Sequence, residues 1–76
     1  MKELIEFVAK SLVDDADAVS TDAYERGDQT IVELEVAPDD LGKVIGRQGR
    51  TARALRTLLA AAGQKQRRRT QLDILD

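Results

Sequence analysis

The sequence contains no cysteine and no histidine. Without cysteine there are no disulfides, no thiolate metal sites and no cysteine nucleophile, and such a composition is typical of the reducing cytosol. Histidine is the side chain most often used for proton transfer near neutral pH and the commonest metal ligand. Its absence argues against most hydrolytic and metal-dependent chemistries. We therefore expect a binding module that is not an enzyme and holds no cofactor and no metal.

Aromatic residues and long apolar segments are also scarce. The two aromatic residues, Phe7 and Tyr24, are too few for a platform on which several bases stack, and we expect both to pack within the protein. No apolar run approaches the roughly 18 to 20 residues of a membrane span. The acidic Glu3 stands where a signal peptide carries cationic and then apolar residues. These features predict a soluble, unprocessed, cytoplasmic protein without a membrane partner or a small-molecule substrate.

Acidic residues are missing from one half of the chain. Residues 41–72 carry nine basic and no acidic side chains, whereas residues 1–40 carry twelve acidic and three basic ones. The two segments thus have net charges of +9 and −9, which the total of −2 conceals. Such an asymmetry indicates a polyanionic partner more strongly than the overall isoelectric point does.

The apolar periodicity of the first forty residues predicts one helix and two strands. A helical spacing continues to about Asp14, and the aspartates that follow predict a solvated turn, because they lack the glycine and glutamate of a calcium-binding loop. Residues 19–25 and 30–37 read as strands joined by a reversal at Gly27 and Asp28. In the second strand the side chains expected to face the helices are Val32, Leu34 and Val36.

The remaining residues predict two helices and a last strand. Pro38 suits the first turn of a short helix, in which we expect Val44 to be buried. A longer helix follows, with Gly63 as its predicted C-cap, and residues 70–75 alternate as a strand. The sequence therefore predicts a single α+β domain over residues 1–76 with the order α-β-β-α-α-β. The apolar stripe of the longer helix consists of Ala52, Leu55, Leu58, Leu59 and Ala62.

Between these two helices lies the segment Gly46-Arg47-Gln48-Gly49. Glycines that bracket a turn let a phosphodiester chain approach the backbone, and the following helix offers unpaired N–H groups. Arg47 and Arg50 add positive charge, and Lys43, one turn earlier, is expected to reach the same strand. A P-loop would need Gly-Lys followed by Ser or Thr after a buried strand, which is absent here.

Residues 42–56, from Gly42 to Arg56, resemble the signature of a KH domain, whose Gly-x-x-Gly loop clamps four backbone nucleotides. The element order resembles the prokaryotic, type II KH fold, and the whole chain is similar to the single-domain bacterial KhpA family. The resemblance implies a three-stranded sheet packed against three helices, with bases lying over Ile45 and Ala52. Ala52 replaces the bulkier residue of many KH domains. The resemblance to KH domains implies the following RNA-binding residues: Lys43, Ile45, Gly46, Arg47, Gln48, Gly49, Arg50, Ala52 and Arg53.

The resemblance also implies partners and a cellular role. It implies single-stranded RNA as ligand, a homodimer or a heterodimer with a KhpB/Jag-like KH-containing protein, and post-transcriptional control or RNA chaperoning linked to cell elongation and division.

Other interpretations remain open: the groove or a helix face docks another protein, or the arginines of residues 50–56 form a solvated helix face. The arginines of residues 67–69 form either a binding patch or a charged loop.

Overall fold

The computed structural model describes all residues from 1 to 76. Three helices and three strands follow one another in the predicted order, so the α+β prediction is confirmed. No helix combines the length and the apolar character needed to cross a bilayer. The helices are α1 (Lys2–Leu12), α2 (Leu41–Ile45) and α3 (Arg50–Lys65), the strands are β1 (Ser20–Arg26), β2 (Gln29–Glu35) and β3 (Arg69–Ile74), and 3₁₀ turns lie at Ala16–Ala18, Pro38–Asp40 and Arg47–Gly49.

The sheet has the strand order β1-β2-β3. Strands β1 and β2 are antiparallel and joined at Gly27, whose φ of 61° suits a tight reversal, so the predicted hairpin is confirmed. Strands β2 and β3 are parallel, with Val32 opposite Leu72. A parallel pair needs a crossover connection. Residues 36–68 form it, and they contain α2, the segment between its two glycines, and α3.

The core lies between one face of the sheet and the helices. Val32, Leu34 and Val36 are buried in it, as the alternation in β2 predicted. The opposite face of β2 is less polar than expected, because Ile31 is fully buried there, with Tyr24 and Gln71 directly opposite it on the neighbouring strands. The other buried core residues are Ile5, Ala9, Val19, Val44, Leu55, Leu59 and Leu72.

Helix α1 is amphipathic, as predicted, but ends at Leu12, two residues earlier than expected. Its buried face is formed by Ile5 and Ala9. Phe7 lies two residues from each of them, about 200° around the helix, and is 71% exposed. The expectation that Phe7 packs inside the protein is therefore wrong. Tyr24 is also exposed, at 37%, and lies beneath the guanidinium of Arg26.

The end of α3 differs from the prediction. Gly63 is a buried residue inside the helix and not its C-cap, since α3 continues to Lys65. Glycine is required there because a Cβ would lie 2.5 Å from Thr70 Cγ2 on β3. Two bonds close the helix: the N–H of Arg68 donates to the carbonyl of Gly63 at 2.8 Å, and the N–H of Arg67 donates to the carbonyl of Gln64 at 3.0 Å. Arg67 has a φ of 56°, the left-handed conformation that such an ending requires.

Candidate nucleic-acid interface

The glycine loop, residues 46–49, joins α2 to α3 in a shape that most residues avoid. Gly46 has φ 76° and ψ 170°, which is accessible essentially only to glycine. Gln48 (φ 57°) and Gly49 (φ 73°) are both left-handed. The N–H of Gly46 donates to the carbonyl of Gly42 at 2.8 Å and thereby ends α2. The loop therefore turns the backbone from α2 into α3 in one specific conformation.

The two glycines of the loop are required for different reasons. A Cβ on Gly46 would overlap Thr51 Oγ1 and would lie 2.9 Å from the backbone nitrogen of Thr51. A Cβ on Gly49 would meet no atom within 4 Å. At Gly46 both the backbone conformation and the approach of α3 exclude a side chain, whereas at Gly49 only the conformation disfavours one.

Helix α3 starts directly after the loop, with Gly49 as its N-cap residue. No side chain caps this end of the helix. The N–H of Arg50 donates to the carbonyl of Arg47, whereas no side chain accepts from the other N–H groups of the first turn. The helix dipole makes this end positive. Because the first turn contains no acidic residue, the end of the helix is suited to an anion such as a phosphate group.

The arginines around the loop differ in what they contact. Arg50 Nη2 donates to Gln48 Oε1 at 3.2 Å, and Arg53 Nη2 donates to the backbone carbonyl of Gln48 at 3.3 Å. Arg47 is exposed and forms no ion pair and no side-chain hydrogen bond. Arg47 is thus the loop cation whose donors are all available to a ligand.

Lys43 does not bring its charge to the loop. Its Nζ lies 2.9 Å from Asp14 Oδ2 and 3.1 Å from Asp40 Oδ1. The hydrogen bonds to Asp14 and then to Asp40 raise the pKa of Lys43. The ammonium of Lys43 is thus paired with two carboxylates in the structure without RNA, and its contact with a bound strand stays a prediction.

Asp40 is a structural carboxylate that the sequence did not reveal. It is 3% exposed and accepts hydrogen bonds from the backbone N–H groups of Asp15 at 3.0 Å and Asp14 at 3.3 Å. The bond from Asp15 is the main cause of its lowered pKa; burial opposes it, while Lys43 and the Asp14 N–H act in the same direction. Asp40 therefore ties the turn after α1 to the start of α2, which carries the loop.

The apolar residues near the loop are divided between core and surface. Val44 is fully buried, as predicted, whereas Ile45 is 37% exposed next to the loop. Ala52 is only 4% exposed, so little of its methyl group is accessible to a ligand. Of these three residues, Ile45 is therefore the one with an apolar side chain accessible to a ligand.

Two further arginines, Arg56 and Arg68, lie away from the loop. Arg56 lines a cleft of about 230 Å³ between α3 and β3. Arg68 is a structural residue: it pairs with Glu25 and its Nε donates to Thr30 Oγ1 at 3.2 Å. A larger cleft of about 450 Å³ lies beside Arg68 and the start of α1 and contains no residue of the loop.

The model of the KhpA/KhpB KH-domain family matches residues 2–74 of this chain. The RNA-binding protein KhpA of Halalkalibacterium halodurans is 53% identical over 76 residues, which are 100% of both chains. The RNA-binding protein KhpA of Borreliella burgdorferi is 57% identical over 74 residues, 97% of this chain and 90% of the relative. That of Aquifex aeolicus is 49% identical over 76 residues, 100% of this chain and 96% of the relative. No solved structure matches this chain at a significant level.

Proposed function

Because the chain belongs to the KhpA/KhpB family of KH domains, we propose that residues 1–76 form one KH domain that binds single-stranded RNA. The observation that carries the proposal is the glycine loop. Three of its four residues have positive φ, and it leads into an uncapped helix N-terminus with a free arginine beside it. The relatives named RNA-binding protein support the same ligand.

In this proposal the loop binds the sugar-phosphate backbone. The absence of a Cβ at Gly49 leaves open space for a phosphate near the first turn of α3, and Arg47 adds a forked donor. A base rests on the exposed side of Ile45, with a small contribution from Ala52. Contacts to the backbone set affinity and salt dependence but carry little sequence information, so we expect weak sequence preference.

The proposal is tested by placing negative charge in the loop. Arg47→Asp with Gln48→Asp puts two carboxylates where phosphate should lie and leaves the core untouched. Gln66→Asp with Arg67→Asp is the matched control, because it makes the same two exchanges beyond the other end of α3. Affinity for a labelled single strand is measured by fluorescence anisotropy at two salt concentrations, together with the circular dichroism of each variant.

We expect the loop variant to lose most of its RNA binding while remaining folded, and the control to bind nearly as the parent protein does. Each phosphate contact that is lost should also reduce the salt slope by about 0.7 for a single strand. A loop variant that keeps both affinity and salt slope would refute the proposal. Equal binding of duplex and single-stranded RNA would leave only unspecific charge attraction, since the groove requires splayed bases.

We also propose that the protein acts with a second RNA-binding module. One KH groove holds about four nucleotides, so useful affinity requires linked sites. The family resemblance suggests a homodimer or a pair with a KhpB/Jag-like protein in the cytoplasm, in post-transcriptional control or RNA chaperoning connected with cell elongation and division. Light scattering of the protein alone and mixed with such a protein tests this step, and a monomer in both samples would contradict it.

The competing function is docking of another protein chain. The observation in its favour is the exposure of Phe7, on the solvent side of α1. If the protein acts in this way, the variant Arg47→Asp with Gln48→Asp should bind the partner chain with the same affinity as the parent protein. The two functions are compatible, because Phe7 and the glycine loop lie on different elements.

A further inference from the structure

Two arginines of α3 hold the same residue of the glycine loop. Arg50 contacts the side chain of Gln48, and Arg53 contacts its backbone carbonyl. Gln48 has φ 57° and ψ 24°, a left-handed conformation that is uncommon for residues other than glycine, asparagine and aspartate. Such a conformation persists where the surrounding structure holds it. The bond from Arg53 acts on the peptide group between Gln48 and Gly49, where the loop enters α3.

We propose that Arg53 is a positioning residue, which fixes the carbonyl of Gln48 and so keeps the loop in its binding shape, while Arg47 supplies the charge that meets phosphate. This inference rests on the proposed RNA binding. It assigns different roles to two arginines that look equivalent in the sequence. Without the bond from Arg53, the left-handed turn has to be ordered when RNA binds, and that ordering weakens affinity.

The two roles predict different dependences on salt. A cation that neutralises a phosphate releases counterions, so its removal lowers the slope of log K against log salt by about 0.7 for a single strand. A positioning residue changes affinity through the order of the free loop, so its removal leaves the slope nearly unchanged. The two roles also predict different mobility of the loop in the protein without RNA. If the hydrogen bond from Arg53 to the carbonyl of Gln48 holds the loop, the Gly49 amide should be as rigid as the helices, with an order parameter of about 0.85.

The test compares Arg53→Gln with Arg47→Gln, which remove the same charge six residues apart. We expect Arg53→Gln to weaken binding of a labelled single strand by about tenfold, consistent with the loss of one charge-assisted hydrogen bond, with the parent salt slope. In the protein without RNA, the Gly49 order parameter from ¹⁵N relaxation should fall toward about 0.6. Arg47→Gln should lower the salt slope and leave that order parameter as it is in the parent protein.

The outcomes separate this inference from the proposed function. If the parent protein fails to bind RNA, the proposed function is refuted. The order parameter of the loop in the free variants still shows whether Arg53 holds the loop in place. If Arg53→Gln lowers the salt slope as Arg47→Gln does and leaves the loop rigid, Arg53 is a phosphate contact and the inference is wrong. Loosening of the loop without loss of affinity also overturns it. A parent-like urea midpoint of both variants excludes general unfolding as the cause.

Discussion

Replacement of each loop glycine by alanine should destabilise the protein to different degrees. At Gly49 alanine meets no neighbouring atom and only adopts a left-handed conformation, which costs about 1–2 kcal/mol and is partly offset by the roughly 0.4–1 kcal/mol that alanine removes from the entropy of the unfolded chain. We therefore expect Gly49→Ala to lower the free energy of unfolding by about 1 kcal/mol.

At Gly46 two effects add. The combination of φ 76° and ψ 170° costs a residue with a Cβ about 1–3 kcal/mol. The new Cβ also overlaps Thr51 Oγ1, and overpacking of this kind costs about 1–3 kcal/mol more. Since the neighbouring atoms include the backbone nitrogen of Thr51, the overlap is not relieved by a rotamer change alone. The two costs sum to about 2–6 kcal/mol, and the same offset from the unfolded chain applies as at Gly49. We therefore expect Gly46→Ala to lose about 1–5 kcal/mol, a large part of the stability of a domain this size.

The assay is urea unfolding followed by far-UV circular dichroism, with the double variant Gly46→Ala/Thr51→Ala included. Removing Oγ1 takes away the closest contact and leaves the overlaps with Thr51 Cβ at 2.8 Å and its nitrogen at 2.9 Å. The double variant should therefore recover about 1 kcal/mol relative to additivity. Equal losses at Gly46 and Gly49, or no recovery in the double variant, would refute the reasoning that α3 approaches the loop this closely.

Two further predictions concern Asp40 and Arg67. Because hydrogen bonding lowers the pKa of Asp40 in the folded protein, its stabilising contribution is present above about pH 4 and is lost as the pH falls through the lowered value. Asp40→Asn should therefore have a lower urea midpoint at pH 7, with a difference from the parent that shrinks toward pH 3; a constant difference would contradict this. Arg67→Gly should raise the free energy of unfolding by about 0.5–1 kcal/mol, because glycine adopts the left-handed conformation without strain, and a lower urea midpoint would count against that assignment.

The features that the sequence predicted correctly depend on local pattern. The side chains of a strand alternate between its two faces, so the apolar period of two in β2 identifies the buried face, and the buried positions Val32 and Leu34 follow directly from it. The glycine loop is equally local, since both glycines and the helices on either side are visible within a few residues. The family resemblance rests on the same stretch.

The features that the sequence missed depend on contacts between distant residues. Glycine is typical of a helix C-terminus, but Gly63 lies inside α3, where the close approach of Thr70 on β3 requires a residue without a Cβ. Lys43 has the charge of a phosphate contact, but in the structure it is paired with Asp14, 29 residues earlier, which the sequence did not indicate. Phe7 looks like a core residue, yet the core is already filled from the other side of α1. In each case the residue type is compatible with two roles, and only the tertiary partner decides between them.

The parallel pairing of β2 and β3 also determines when the binding surface can form. Strand β3 begins at Arg69, so the sheet is completed only after the whole crossover of residues 36–68 has been closed. During synthesis, a nascent chain that has emerged as far as Arg68 already contains every residue of the glycine loop. It still lacks the strand on which α3 packs. The proposed RNA-binding surface therefore cannot form before β3 has been synthesised, and RNA should not be captured by a chain that still lacks this strand.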